Sequence, residues 1–335
     1  MKFGIIGTNW ITDKFIDAGN QIKDFEIAAV YSRTAERAKE FSKKYKIKKI
    51  FTNLEEMAES DDIDGVYIAS PNCFHAEQSI LFLKNKKAVL CEKPAVSNSI
   101  ELKKVIQIAK ENETLYMEAM KTTFIPTYNV LKENLYKIGK VRQILSGYCK
   151  FSSSYEDYLN GDIKNSFRPE FSNGALMDIG VYPIFFIISL FGIPNEIKSQ
   201  GKILDNGKGI DVYGNLNMIY EDKNAIVMFS KVYSSYLPTE IVGESGAFLI
   251  EHISEMDKLY YIDRKNNGDK IDLTIKRKEN GMYYELKHFI ELFKEGKKES
   301  PINSFDLSLK VMKIIDETRD QIGIVFPADK LKNNY

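Results

Sequence analysis

The stretch Phe3-Gly4-Ile5-Ile6-Gly7-Thr8-Asn9-Trp10-Ile11-Thr12 decides the fold of this 335-residue chain. Phe3–Ile6 is a short apolar run of the kind buried on both faces of a parallel sheet, and Gly7 ends it. A helical pattern follows at once. In a dinucleotide-binding turn the first Gly makes the bend and the second lets backbone approach a pyrophosphate. The third lets helix and strand pack closely. Only the first is Gly here. Asn9 takes the second place, where it tolerates a left-handed backbone and can offer its amide to a phosphate, and Thr12 takes the third. A plain strand–turn–helix has the same letters, so the turn's place in the chain has to decide.

Working outward, Ile27–Tyr31, Val66–Ala69, Ala88–Cys91 and Leu115–Met117 read as further buried strands. Amphipathic stretches lie between them: Ala35–Tyr45, His75–Asn85 and Ile100–Asn112, the last with Leu102, Val105, Ile106 and Ala109 on one stripe. Alternation of this kind predicts βαβ units and a doubly wound parallel sheet over residues 1–120, with ligands at the carboxyl ends of the strands. Beyond residue 120 the texture changes to strands punctuated by turns. Val141–Phe151, Glu196–Leu204, Asp211–Ile219, Ala225–Val232, Ala247–Glu251, Lys258–Ile262 and Lys270–Ile275 are strand-like. The turn signals are Asp205-Asn206-Gly207, Glu244-Ser245-Gly246 and Asn266-Asn267-Gly268-Asp269. Residues 121–335 are therefore expected to form an α+β domain with a large, mostly antiparallel open sheet. Two late helices, Tyr283–Lys294 and Phe305–Gln321, close it.

Composition excludes several classes of function. Lys plus Arg number 47 and Asp plus Glu number 47, so the basic stripe of a nucleic-acid binder is not expected. No run approaches the ~18 consecutive apolar residues of a membrane span; Ile184 to Phe191 is interrupted by Ser189. Cys73, Cys91 and Cys149 are odd in number and far apart, which argues against a disulfide framework, and with three His they offer no metal-ligand spacing. Met1-Lys2 runs directly into the first strand without a charged n-region or cleavage site, and the reading expects a cytoplasmic protein without a structural metal. Its redox or group chemistry would then come from an organic cofactor or from side chains alone.

An NAD site places Asp or Glu at the end of the second strand to accept from the ribose 2′-hydroxyl. Here that strand ends Val30-Tyr31-Ser32-Arg33, and no acid lies between Glu26 and Glu36. Ser32 and Arg33 suit a 2′-phosphate, and Arg is scarce in the chain, seven against forty Lys. NADP is favoured over NAD.

Two further stretches fall at strand ends: Ala69-Ser70-Pro71-Asn72-Cys73-Phe74-His75 and Cys91-Glu92-Lys93-Pro94-Ala95-Val96. With them come Tyr116-Met117-Glu118-Ala119, Gly174-Ala175-Leu176-Met177-Asp178-Ile179-Gly180-Val181-Tyr182-Pro183 and Gly323-Ile324-Val325-Phe326-Pro327-Ala328. The chain resembles the Gfo/Idh/MocA oxidoreductases over nearly its whole length. The family's Glu-Lys-Pro hallmark is matched by Glu92, Lys93 and Pro94. The Asp178–Tyr182 segment is similar to the NADP-using dihydrodiol and xylose dehydrogenase branch. The resemblance implies a Rossmann domain and a C-terminal sheet that commonly forms a homodimer face. It also implies a reaction centre lined by Lys93 and Asp178, with Tyr182 where many members have His. Asn9 and Thr12 depart from the glycine pattern.

The expected activity is hydride transfer between NAD(P) and a small polyhydroxylated alcohol or carbonyl, such as a sugar or diol. A catalytically silent NAD(P)-binding sensor is the alternative. Oxidising an alcohol needs a base for the hydroxyl proton. Tyr182 is read as the immediate proton donor and acceptor, with Lys93 polarising the substrate oxygen and Asp178 orienting them; Lys93 and Tyr182 could exchange roles. Gly7, Thr8, Asn9, Trp10, Ile11, Ser32, Arg33, Ser70, Asn72, His75, Glu92 and Lys93 are the candidate cofactor residues. His75 reads equally as a structural histidine opening a helix. Arg168 either binds a polar substrate or pairs with an acid. A cis Lys93–Pro94 bond would aim the lysine inward. The aromatic run Tyr182, Phe185, Phe186 and Phe191 reads as helix core rather than as a substrate box.

Overall fold

A computed structural model describes residues 1–205, 209–266 and 268–333; Asn206, Gly207 and Asn267, counted among the turn signals, lie outside them. The chain divides into two compact units, Met1–Lys121 with Lys278–Leu309, and Thr122–Arg277 with Lys310–Tyr335.

The first unit holds six strands: β1 (Lys2–Ile6), β2 (Glu26–Tyr31), β3 (Lys49–Phe51), β4 (Gly65–Ile68), β5 (Ala88–Glu92) and β6 (Tyr116–Ala119). All pair in parallel, in the order β3-β2-β1-β4-β5-β6. This is the full 3-2-1-4-5-6 order of a doubly wound dinucleotide-binding sheet, and the order reverses between β1 and β4. The helices between them are α1 (Trp10–Gly19), α2 (Ala35–Tyr45), α3 (Leu54–Glu59), α4 (His75–Lys84) and α5 (Ser99–Glu111). Their starts are set by side-chain caps. Asn9 Oδ1 accepts from Ile11 N at 3.0 Å, Thr34 Oγ1 from Arg37 N at 3.3 Å, and Asn98 Oδ1 from Glu101 N at 3.0 Å. β3 was not expected: three residues, mostly exposed at a sheet edge, carry little apolar signal.

The second unit holds α6 (Pro126–Asn134), β7 (Val141–Cys149), α7 (Ser153–Leu159), α8 (Val181–Phe191) and β8 (Glu196–Ile203). β9 (Asp211–Ile219), β10 (Asn224–Ser230), β11 (Thr239–Gly243), β12 (Gly246–Glu251), β13 (Lys258–Asp263) and β14 (Lys270–Asp272) follow. These eight strands form one sheet, β14-β13-β12-β11-β7-β10-β9-β8, antiparallel except where β7 pairs with β10. One face is core: Ile144, Leu216, Val227, Phe229, Ile241 and Phe248 are fully buried. The other leaves Leu145, Tyr213 and Ile226 partly open to solvent, with Leu145 and Ile226 directly paired across β7 and β10. The helical stretch Pro169–Phe191 has the length and apolarity to cross a membrane, but 67% of its most apolar window is buried within the structure. Phe185 and Phe186 are fully buried, as expected of helix core, whereas Tyr182 and Phe191 of the same aromatic run are only partly buried.

The two late helices form over Met282–Lys294 (α9) and Phe305–Ile322 (α10). α9 belongs to the first unit. Its Phe289, fully buried, lies 6.0 Å from the ring of Phe3 on β1, and Asn280 just before it donates to the Lys14 carbonyl of α1 at 2.8 Å.

Candidate active site

The turn after β1 is built on one glycine and two polar substitutes. Gly7 has φ +104°, and a Cβ there would run into the Ala69 carbonyl at the end of β4. Asn9 is not left-handed: its φ is −111° and its backbone is extended, because it is the N-cap of α1. Its amide is not turned outward either, since Nδ2 donates to the Ala69 carbonyl at 2.9 Å. Asn9 thus ties β1's turn to β4's end while capping the helix. Thr12, fully buried in the third glycine's place, donates its hydroxyl to the Gly7 carbonyl at 2.8 Å. The polar substitutes brace by hydrogen bonding a turn that other sequences close by small size alone. Trp10, the first residue of α1, is 67% exposed, with Lys14 Nζ 5.3 Å from its ring centre.

At the end of β2, Ser32 and the exposed Arg33 stand before α2. A cation that sequence reading passed over lies one helical turn on. Arg37 donates from Nε to Thr8 Oγ1 at 3.1 Å and from a terminal nitrogen to the Thr8 carbonyl at 2.9 Å, while pairing with Glu40 at 3.1 Å. The signal was available: Arg33 and Arg37, i and i+4, are two of only seven arginines.

After β4, Ser70 Oγ donates to Gln78 at 2.7 Å, and Asn72 begins a short 3-10 turn leading to α4. His75, 1% exposed, has Nδ1 2.9 Å from the Pro94 carbonyl and Nε2 2.9 Å from the Ser70 carbonyl. Burial holds its pKa below the ordinary value against those two carbonyls, so the neutral ring donates to one of them at a time. His75 therefore joins the end of β4 to the turn after β5.

That second turn contains a cis Lys93–Pro94 bond, as expected. Two buried carboxylates brace it. Glu92 accepts from the Tyr67 hydroxyl at 2.5 Å and from Lys93 N at 3.3 Å, and Glu118 on β6 accepts from Ala95 N at 3.1 Å. Burial pushes both carboxyl pKa values up; for Glu92 the nearby Lys93 charge and the Tyr67 hydrogen bond oppose it. Tyr67 is pushed well above its ordinary value by burial and then by Glu92. The Lys93 side chain itself is half-buried.

In the second unit, Asp178 sits in a π-turn, Leu176–Gly180, that runs into α8 and carries Tyr182 one turn later. Such turns recur at functional sites. The turn is anchored from below by Asp211, fully buried at the start of β9, whose Oδ2 accepts from Leu176 N at 2.7 Å. Gly174 makes room: its φ is +149°, and a Cβ there would overlap Asp211 Oδ1. Burial pushes the Asp211 pKa up to about 6 against the Leu176 N–H and the Lys231 charge. Asp178 Oδ2 lies 2.9 Å from Lys231 Nζ. The Tyr182 ring is 5.7 Å from that of Tyr148 on β7. Arg168 pairs with Glu170 at 3.5 Å and donates to the Ile163 carbonyl at 3.1 Å. Sequence reading missed Lys231 and Asp211, because single charges on apolar strands belong to no motif. Among the described residues, no group of three or more His, Cys, Asp or Glu is arranged to hold a metal.

The comparisons with known proteins cover both units. Residues 1–120 match the model of the Gfo/Idh/MocA oxidoreductase family with NAD-binding Rossmann fold, and residues 136–249 match the Gfo/Idh/MocA C-terminal domain. The scyllo-inositol 2-dehydrogenase (NADP(+)) of Bacillus subtilis is 46% identical, over 98% of this chain and 99% of that protein. The trans-1,2-dihydrobenzene-1,2-diol dehydrogenase of Xenopus laevis is 28% identical, over 97% and 99%. In fold, a 3-ketoreductase from Actinomadura kijaniata, solved with NADP and TDP-benzene, aligns with a TM-score of 0.85 at 21% identity, covering 97% of this chain and 99% of that one. With separated motifs in family order, two matching domains and close likeness over its whole length, the chain belongs to the Gfo/Idh/MocA oxidoreductase family.

Proposed function

We propose that the chain is an NADP-dependent dehydrogenase that oxidises one CH–OH of a small polyhydroxylated ring, with scyllo-inositol the first substrate to test, or catalyses the reverse reduction. The observation that carries this reading is whole-length likeness to an NADP-dependent polyol dehydrogenase, joined to a dinucleotide turn at the strand-order switch point. The turn suits the group: Gly7 leaves the backbone open and α1 presents its N-terminus there. Relatives with named dehydrogenase activities favour turnover over a silent sensor.

When bound, NADP supplies a hydride acceptor and NADPH a donor. Gly7, Thr8, Asn9, Trp10 and Ile11 form the pyrophosphate turn, with Ser70 and Asn72 at the neighbouring strand end. Ser32 and Arg33, backed by Arg37, hold the 2′-phosphate, since paired guanidinium groups suit phosphate. Lys93 polarises the substrate oxygen, Tyr182 takes the hydroxyl proton as the carbon gives up its hydride, and Asp178 orients them. Glu92 and His75 act by bracing the Lys93–Pro94 turn, and Arg168 meets a polar substrate. The first unit, Met1–Lys121 with Lys278–Leu309, serves the cofactor, and the second the substrate. The half-open sheet face with Leu145, Tyr213 and Ile226 is the surface of a homodimer, and the protein works in the cytoplasm.

Turnover of a panel of inositols, sugars and diols with NADP and NAD tests the activity. Cofactor binding without turnover on any alcohol or carbonyl would return the sensor. Trp10 emission should respond to NADPH more than to NADH. Light scattering of the parent and of Leu145→Glu checks the dimer, which the variant should split.

A further inference from the structure

Lys231 follows β10 and is 3% exposed, a rare position for a lysine. Burying an ammonium is unfavourable unless its partners are fixed, and here they come from separate stretches of the second unit. Nζ lies 2.9 Å from Asp178 Oδ2 and donates to the Ser166 carbonyl at 3.2 Å, and it stands 5.0 Å from the ring centre of Phe167. Ser166 and Phe167 form the short turn Asn165–Phe167 directly before Arg168. The Lys231 backbone N–H donates to the Val212 carbonyl at 2.8 Å, next to Asp211, which anchors the start of the Asp178 turn. The ammonium's place is thus set from below, while the Asp178 side chain stays 41% exposed.

We propose that Lys231 is a positioning residue: its buried ammonium aims the Asp178 carboxylate and holds the Asn165–Arg168 segment in register with it. The inference rests on the reading of Asp178 as part of the reaction centre. A lysine has three donors and no acceptor, so one head group can hold a carboxylate and a carbonyl together. The segment before Arg168 and the acid on the π-turn then move as one unit. A small displacement of an orienting group lowers turnover sharply without touching cofactor affinity.

The test is a double-substitution cycle on the full-length protein with the polyol that the parent turns over best. Lys231→Met should lower kcat about 100-fold and raise the substrate KM, with Trp10's response to NADPH unchanged. Lys231→Arg, which keeps the charge, should recover most of the loss. Asp178→Asn should be equally impaired, and the double variant no worse than Asp178→Asn within about threefold, because residues acting as a unit are not additive. Multiplying losses in the double variant would overturn the proposal, since Lys231 would then act without Asp178. Near-parental kcat in Lys231→Met would overturn it too. Normal turnover in Asp178→Asn, or a parent that turns over nothing, would instead sink the site reading and this inference with it. If Lys231→Met does not fold, Lys231→Gln, which can still donate to the Ser166 carbonyl, is read in the same way.

Discussion

The Lys93–Pro94 turn and the Asp178 turn are both held by buried ionisable side chains, but the charges are arranged differently. Around Lys93 the buried groups are the carboxyls of Glu92 and Glu118, which accept from hydroxyl and backbone donors. Around Asp178 the buried groups are a lysine and an aspartate, and the lysine makes a direct ion pair. A neutral carboxylic acid or an amide still offers an acceptor oxygen to donors of the first kind, though a weaker one than a carboxylate. An ion pair of the second kind leaves an uncompensated charge when one member is lost. Similar positional fixity is reached in one case with tolerance to neutralisation and in the other without it.

The largest effect should be shared by both turns. Lys93→Met and Tyr182→Phe are each expected to lower kcat by about 10²–10⁴-fold, the range of general acid–base catalysis. If either keeps near-normal turnover, that turn is scaffold and the comparison becomes one between a working turn and a structural one. Next in size is the stability cost of breaking the ion pair. Asp178→Ala, which leaves the buried Lys231 ammonium without its carboxylate, should lose about 3–5 kcal/mol in denaturant unfolding. A loss under about 1 kcal/mol would mean that the pair is no firmer than a surface one.

Third is a pH effect centred on Asp211. Its folded pKa is about 6 against an ordinary 3.8. The stability linked to its proton is therefore fully present below about pH 3.8 and lost as pH rises through about 6. That difference corresponds to about 3 kcal/mol. Relative to Asp211→Asn, whose amide oxygen can still accept from Leu176 N–H, the parent should gain stability by up to that amount between pH 7 and pH 4. A constant gap over this range would show that burial does not raise the carboxyl. Smallest is Glu118→Gln, which keeps an acceptor for Ala95 N–H and should cost less than about 1 kcal/mol. A cost equal to that of Asp178→Ala would erase the distinction between the two turns.

The fold was legible where burial on both faces of a sheet forces apolar runs. β1, β4 and β5 are such runs, and β9 was bounded correctly by its alternation. β3 and β11 were not seen, because three and five residues beside polar loops fall below any periodic signal. Motifs singled out Lys93, Asp178 and Tyr182 as candidates, whereas the buried groups packed beside their turns were largely hidden. Asn9 was read as a left-handed residue with a free amide, since the letter does not reveal that capping and a bond to Ala69 claim it first. Lys231 and Asp211 look like ordinary strand charges until the tertiary fold buries them. The apolar stripe of α9 showed that the helix packs on something, but periodicity carries no address, so its return to the first unit was not foreseen.

That return has a consequence for how the protein is made. Phe3 leaves the ribosome long before its neighbour Phe289, which lies 286 residues later in the chain (289 minus 3). At about 5–20 residues per second, the stretch from Lys121 to Leu309 takes roughly 10–40 s to appear. Through that interval the dinucleotide sheet waits without the helix that completes its core. A nascent chain is thus exposed to chaperones, and to its own neighbours on a polysome, for longer than its N-terminal position would suggest.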